Sequence, residues 1–368
     1  MILADLFNEL VLRRPSQRAI PNLDGPWLPN DRLETCARLA PDIAGPDGLA
    51  AGDDMLYVAS GPRILGLSGP GFDQVREVAG FDAPVACLAW DRRIGLVAGV
   101  SGTGLVVLAP EGGTKILRET AGRPLHHPSG VAVDEAGGLL VTEGSARRAY
   151  EDWVWDLMEK GTSGRLLRFP PDGAPAAVLA EGLAFPIGVA QRPDDGMVLV
   201  AEAWRHRILG IPPSSPSRPQ VVLDGLPGYP ARIAAGADGG FALSFFALRT
   251  QLVEFVLREE AFRRRMMETI DPECWIAPSL SAVEHHLQPV QFGALRSQNI
   301  KKPWAPPRSY GLVVQLDAGL APIASFHSRA NGFNHGTSGL AWQGERLFVA
   351  ARGADRILLP LEEQEGAA

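Results

Sequence analysis

Six times along this chain, a short apolar run follows a proline or threonine, turns through Gly and Asp, and returns as further apolar runs. The clearest copy is residues 185–211, FPIGVAQRPDDGMVLVAEAWRHRILGI. Residues 187–190 read as a strand and 192–196 as a Pro/Asp/Gly turn. Residues 197–201 read as a strand buried on both faces, 204–206 as a polar break, and 207–211 as a third strand. So small a sheet cannot bury itself and needs copies beside it. The frame recurs after Pro46, Pro84, Pro128, Pro186, Pro230 and Thr337, at separations of 38, 44, 58, 44 and 107 residues. A period near 40 with four strands per unit predicts an all-β fold, a six-bladed β-propeller. The two long gaps hold insertions.

The rest of the chain is organised around that ring. Residues 1–30 are expected to form an N-terminal helix and extended arm, 31–360 the propeller, and 361–368 a tail. Residues 2–12 suit a short helix, acting as a packed cap or, with Arg13 and Arg14, as a membrane-surface contact. Residues 35–39 are placed as the outer strand that closes the last blade, because a propeller must hide its sheet edges. The blade 3 insertion, 147–164, has Tyr150, Trp153, Val154, Leu157 and Met158 at helical spacing and Gly161 at its end. The larger blade 5 insertion, 248–308, opens with a helix over 248–270 carrying Leu252, Phe255, Val256, Phe262, Met266 and Ile270. A second short helix is expected at 281–287 and a Pro/basic loop at 301–308. This insertion is read as a flap packed on the propeller end or a lid over the channel.

Composition narrows the function classes. With 35 Lys and Arg against 42 Asp and Glu, the net charge of −7 argues against a nucleic-acid surface. Cys36, Cys87 and Cys274 are too few and too scattered for a disulfide framework or a zinc site. No apolar run approaches the roughly 20 residues of a membrane span. The start, MILADLFNELVLRRP, has no basic region ahead of its apolar residues, so a cytoplasmic location is expected.

A propeller places ligands where its blades converge. The residues after each leading position are Asp47, Val85, Ser129, Ile187, Ala231 with Arg232, and Ser338. Other polar candidates for that end are His126, His127, His335, Glu143 and Glu202. Each has a plain structural alternative: Asp47 as a turn residue, the histidines as an exposed loop pair, Glu143 and Glu202 as carboxylates holding backbone amides between blades. Asp47, Glu143, Glu202 and backbone carbonyls could supply part of the six to eight oxygens a calcium ion wants, but an Arg232 side chain aimed there would oppose it. No GxSxG, P-loop, HExxH or CxxC is present.

The stretches LAEGLAFPIGVA and LPGYPARIAAGADGG resemble the strictosidine synthase-like family, grouped with gluconolactonase-type calcium hydrolases and paraoxonase-type esterases. The segment Gly164–Leu167 (GRLL) ending the blade 3 insertion, and the Phe/Arg/Met-rich blade 5 helix, are similar to the branch of adipocyte plasma membrane-associated protein and its bacterial relatives. The resemblance spans about residues 40–360. It implies a six-bladed propeller with an axial site that hydrolyses small lactones or aryl esters, with Asp47, His127 and Glu202 as catalytic candidates. Ser129, Arg232, His335 and Glu143 would bind substrate, and Asp47 would hold a calcium ion. Three departures stand beside it. The family's first-blade Glu is Asp47 here, the Asn of FPNG is Ile187, and the Asp-Asn after GYP is Ala231-Arg232. The carboxylate of true strictosidine synthases falls near Thr337, which excludes that condensation. Two other readings stay open: a non-catalytic propeller in which Arg232 pairs a small anionic metabolite, and a protein-interaction scaffold that uses the blade 5 insertion.

Overall fold

A computed structural model describes residues 20–39, 42–213, 218–281 and 308–360, with the backbone of 296–297 and 300–301. The expected helix at 2–12, the tail at 361–368 and nearly all of 281–287 and 301–308 lie outside the described residues.

Six four-stranded antiparallel sheets follow the order of the six repeats. Their innermost strands are Pro46–Ala51, Val85–Asp91, Pro128–Val133, Pro186–Gln191, Gly228–Ala235 and Thr337–Gln343. The three strands read from the clearest copy are Pro186–Gln191, Val198–Glu202 and Arg207–Ile211. The second strands are buried along nearly all of their length, and entirely so in LLVTE of blade 3 and VLVAE of blade 4. A strand covered on both faces reads as an unbroken apolar run, because neighbouring blades pack face to face. The last sheet takes its outer strand from the beginning of the chain: Ala37–Leu39 pairs antiparallel with Arg356–Leu359. That closure removes the free edge.

Each inner strand carries a β-bulge one or two residues after its leading position, as between Pro46 and Leu49, Pro186 and Val189, and Pro230 and Ile233. The bulge re-aims side chains at the mouth of the channel. It also corrects the register in blade 2. Val85 pairs with Val100 as Pro46 pairs with Ser60, so the residue that follows the leading position is Ala86, not Val85. After the bulge most blades place a glycine against the neighbouring strand. A Cβ on Gly130 would stand 1.8 Å from the Ile187 carbonyl oxygen, and one on Gly339 would stand 1.8 Å from that of Asp47. Blade 5 has Arg232 at this position. Deeper in the channel Leu49, Leu88, Val131, Val189, Ile233 and Leu340 line a cavity of about 50 Å³ together with Arg232.

Both insertions cover the end of the ring where these strands begin. The first forms a 3-10 turn, Tyr150–Asp152, and a helix, Trp153–Glu159, whose cap is the left-handed Lys160 rather than Gly161. The second is two helices, Gln251–Arg258 and Glu260–Thr269, not the single expected one. Glu259 leaves helical geometry between them (φ −82°, ψ 83°). The break rotates the second helix out of phase with the first. Phe255, Phe262 and Ile270 stay about half exposed, while Val253, Val256, Arg263 and Met266 are buried. Tyr150, Trp153, Phe185, Tyr229, Phe246 and Trp275 belong to one apolar cluster that joins both insertions to blades 2, 4 and 5.

Candidate active site at the propeller axis

Asp47 follows the leading proline of blade 1 and is 4% exposed. Its Oδ2 accepts a hydrogen bond from Arg352 Nη1 at 2.7 Å, and its Oδ1 accepts one from the Tyr150 hydroxyl at 3.3 Å. Arg232 Nη2 lies 3.8 Å from the same Oδ1. The three partners come from blade 6, the blade 3 insertion and blade 5. The Tyr150 ring is flanked by both guanidiniums, at 5.4 Å from Arg232 and 5.7 Å from Arg352, within cation–π range. Burial, reinforced by the Asp47 charge, pushes the Tyr150 hydroxyl well above its usual range, so it stays protonated and donates.

Beside this group Glu151 accepts a hydrogen bond from the Ser101 hydroxyl at 3.1 Å. Burial raises the Glu151 carboxyl above its ordinary range, against the pull of Ser101 and Arg352. A carboxyl with a raised pKa next to a partly exposed guanidinium is the arrangement expected where protons move.

Arg232 fills the centre of the ring. From blade 5 it donates to the carbonyl oxygens of Ala86, Ser129 and Ile187, in blades 2, 3 and 4. The ring of residues after the leading positions reads Asp47, Ala86, Ser129, Ile187, Ala231 and Ser338. Ala86, Ile187 and Ala231 belong to the apolar cluster. The Ser129 hydroxyl donates to the Pro186 carbonyl at 2.6 Å, a stitch between blades 3 and 4. This donor set does not fit a calcium ion. The single carboxylate is paired with guanidinium, and the carbonyls a hard cation would need are taken by another. Among the described residues no group of three or more His, Cys, Asp or Glu side chains is placed to hold a metal.

The other sequence candidates are not gathered here. Glu143 is fully buried and accepts from the backbone amides of His126 and His127, from Arg165 at 2.7 Å and from Arg123 at 2.8 Å. Glu202 repeats the pattern one blade on, with the Ala184 amide, Arg205 at 2.7 Å and Arg207 at 2.6 Å. Both carboxylates sit in ion-pair networks that hold a loop to a blade, away from Asp47. His335 is buried, with Nδ1 2.8 Å from the Ser309 hydroxyl and Nε2 2.9 Å from the Arg329 carbonyl oxygen. Ser129 is committed as described above. His126 is exposed and His127 half-buried. Burial lowers the His127 imidazole, leaving it neutral near pH 7.

Arg352, Tyr150, Glu151 and Ser101 were not among the sequence candidates. Arg352 and Ser101 directly follow the second strands of blades 6 and 2, the other place in the repeat that opens toward this end. Comparing those positions across the six copies would have found them. Tyr150 was read only as part of a helical face.

A ring of six blades with a charged axial site under helical insertions defines the class. A family model for strictosidine synthase matches residues 129–210. Strictosidine synthase-like protein 13 of Arabidopsis thaliana is 29% identical over 154 residues, 41% of this chain and 38% of the plant protein. The adipocyte plasma membrane-associated protein of Salmo salar is 25% identical over 331 residues, 83% of this chain and 73% of the fish protein. A gluconolactonase of Xanthomonas campestris superposes with a TM-score of 0.57 at 16% identity, covering 88% of this chain and 89% of the other. The chain is thus similar in sequence to strictosidine synthase-like and adipocyte plasma membrane-associated proteins, and it shares the propeller fold of gluconolactonases. No described helix is long and apolar enough to cross a membrane.

Proposed function

We propose that this protein is a hydrolase of small lactones or aryl esters that works at the axial site without a metal ion. The carrying observation is the convergence of Arg352, Tyr150 and Glu151 beside a buried Asp47. In this reading the Arg352 guanidinium, through N–H groups other than the one on Asp47, donates to the carbonyl oxygen as it becomes an oxyanion, while Tyr150 donates to Asp47 and steadies it. Glu151 takes a proton from the attacking water and returns it to the departing alkoxide or phenoxide. Asp47 holds Arg352 in place. The gluconolactonase neighbour supports the substrate class by analogy of fold.

The test is turnover of a panel of five- and six-membered lactones and aryl acetates, with and without chelator. We expect chelator-insensitive hydrolysis, with Arg352→Ala and Glu151→Gln each lowering kcat/KM by about 10²-fold or more. Background turnover across the panel would overturn the hydrolase reading. One observation favours a second reading, small-anion binding without turnover: two guanidiniums face the single carboxylate of Asp47, so an anion could pair with Arg352 where Glu151 is protonated. Thermal stabilisation by small carboxylates with no hydrolysis would select it.

A further inference from the structure

We infer that Arg232 is a tethered cation built into the propeller axis, in the place where a divalent ion would bridge the blades. The inference rests on the axial geometry alone and stands whether or not the site hydrolyses esters. Four blades supply glycine at the corresponding position, Gly48, Gly130, Gly188 and Gly339, and blade 2 supplies Cys87. Blade 5 alone sends in a long side chain. Its guanidinium is buried and meets three backbone carbonyls from three blades and the carboxylate of a fourth. Such a set, all oxygens converging on one centre from different elements, is the donor arrangement of a hard-cation site. Here a planar fork of N–H donors satisfies it.

Two consequences follow from placing the charge on the chain. The blades are joined through their inner strands without dependence on any dissolved ion. Calcium is also refused, because bringing a second cation beside a buried guanidinium is strongly unfavourable. Replacing Arg232 with an oxygen ligand should therefore convert the axis into a calcium site. In Arg232→Asp the introduced carboxylate would join Asp47 and the freed carbonyls of Ala86, Ser129 and Ile187.

The experiment compares wild type, R232D, R232K and R232M by elemental analysis and by thermal unfolding in millimolar calcium or in chelator. Wild type should retain no calcium and show the same Tm in both buffers. R232D should hold about one calcium per chain and gain several degrees in Tm when calcium is present. R232K should fold and ignore calcium, because the charge persists. Retention of stoichiometric calcium by wild type would overturn the inference. So would a folded R232D that ignores calcium, or an R232K that binds it. Should R232D fail to fold in either buffer, the remaining pair decides. R232K more stable than R232M supports a required axial charge, and equal losses in the two overturn it.

Discussion

Glu143 and Glu202 occupy equivalent ends of the second strands in blades 3 and 4, and each meets an arginine from the next strand, Arg165 or Arg207. Asp47 is also a buried carboxylate paired with arginine, yet it faces the axis. Residue type does not separate these roles; position in the repeat does. The two glutamates close on their own blade, while Asp47 gathers partners from three others. The distinction has a measurable consequence. In Glu143→Gln, Arg165, which is 3% exposed, would keep its charge and lose its counterion. Breaking a buried pair from one side costs about 3–5 kcal/mol. The urea midpoint should fall accordingly with an unchanged m-value, and a midpoint equal to wild type would show that Arg165 reaches another partner.

At the scale of the element, the helix Gln251–Arg258 is fastened to the propeller by charge as well as by Val253 and Val256. Glu254 accepts from Arg249 at 3.1 Å and lies 3.5 Å from His206 Nε2, whose Nδ1 faces the Gly228 carbonyl oxygen. Burial lowers the His206 imidazole below its ordinary range, against the pull of Glu254. Burial disfavours the Glu254 carboxylate, but His206 and Arg249 outweigh it and hold the carboxyl at about 2. Both groups bind protons less readily folded than unfolded. Their contribution is present above the unfolded values, near 6.5 for His and 4.3 for Glu, and is lost as pH falls. Hydrogen exchange of residues 251–269 should accelerate as pH falls below about 6, ahead of the blades and after correction for the intrinsic rate. Glu254→Gln should remove the part of that dependence lying below about pH 4. Protection that tracks the blades at every pH would refute a separate fastening.

At the scale of the molecule, stability depends on closing the ring. Ala37–Leu39 covers the edge of the last blade. The residues before it tie the junction of blades 5 and 6: Leu33 is fully buried, its amide donates to the His327 carbonyl, and Asn334 donates to its carbonyl at 2.7 Å. A chain lacking residues 31–39 would lose the burial of Leu33 and Leu39, worth roughly 1.5–3 kcal/mol each, and would expose the edge Arg356–Leu359. We expect a lower Tm and concentration-dependent association by light scattering. An unchanged Tm and a monomer would mean that the ring closes without this strand.

The repeat was legible in the chain because every blade must solve the same burial problem. Hence the six units, their strands, the ring closure and the positions of both insertions could be read directly. The break at Glu259 could not, because the apolar spacing over 248–270 suits a continuous helix and only docking on the ring decides which face is covered. The axial residues Asp47 and Arg232 were legible as positions but not as a pair. Nor could the chain show that Arg352, Glu151 and Ser101 gather around Asp47, for the same reason: a site on a propeller axis is assembled from side chains up to 305 residues apart, as in the contact of Asp47 with Arg352. Local patterning determines which strands form. The closing of the ring alone decides which charges meet at its centre, because that meeting is set by the geometry of six blades rather than by any neighbour in the chain.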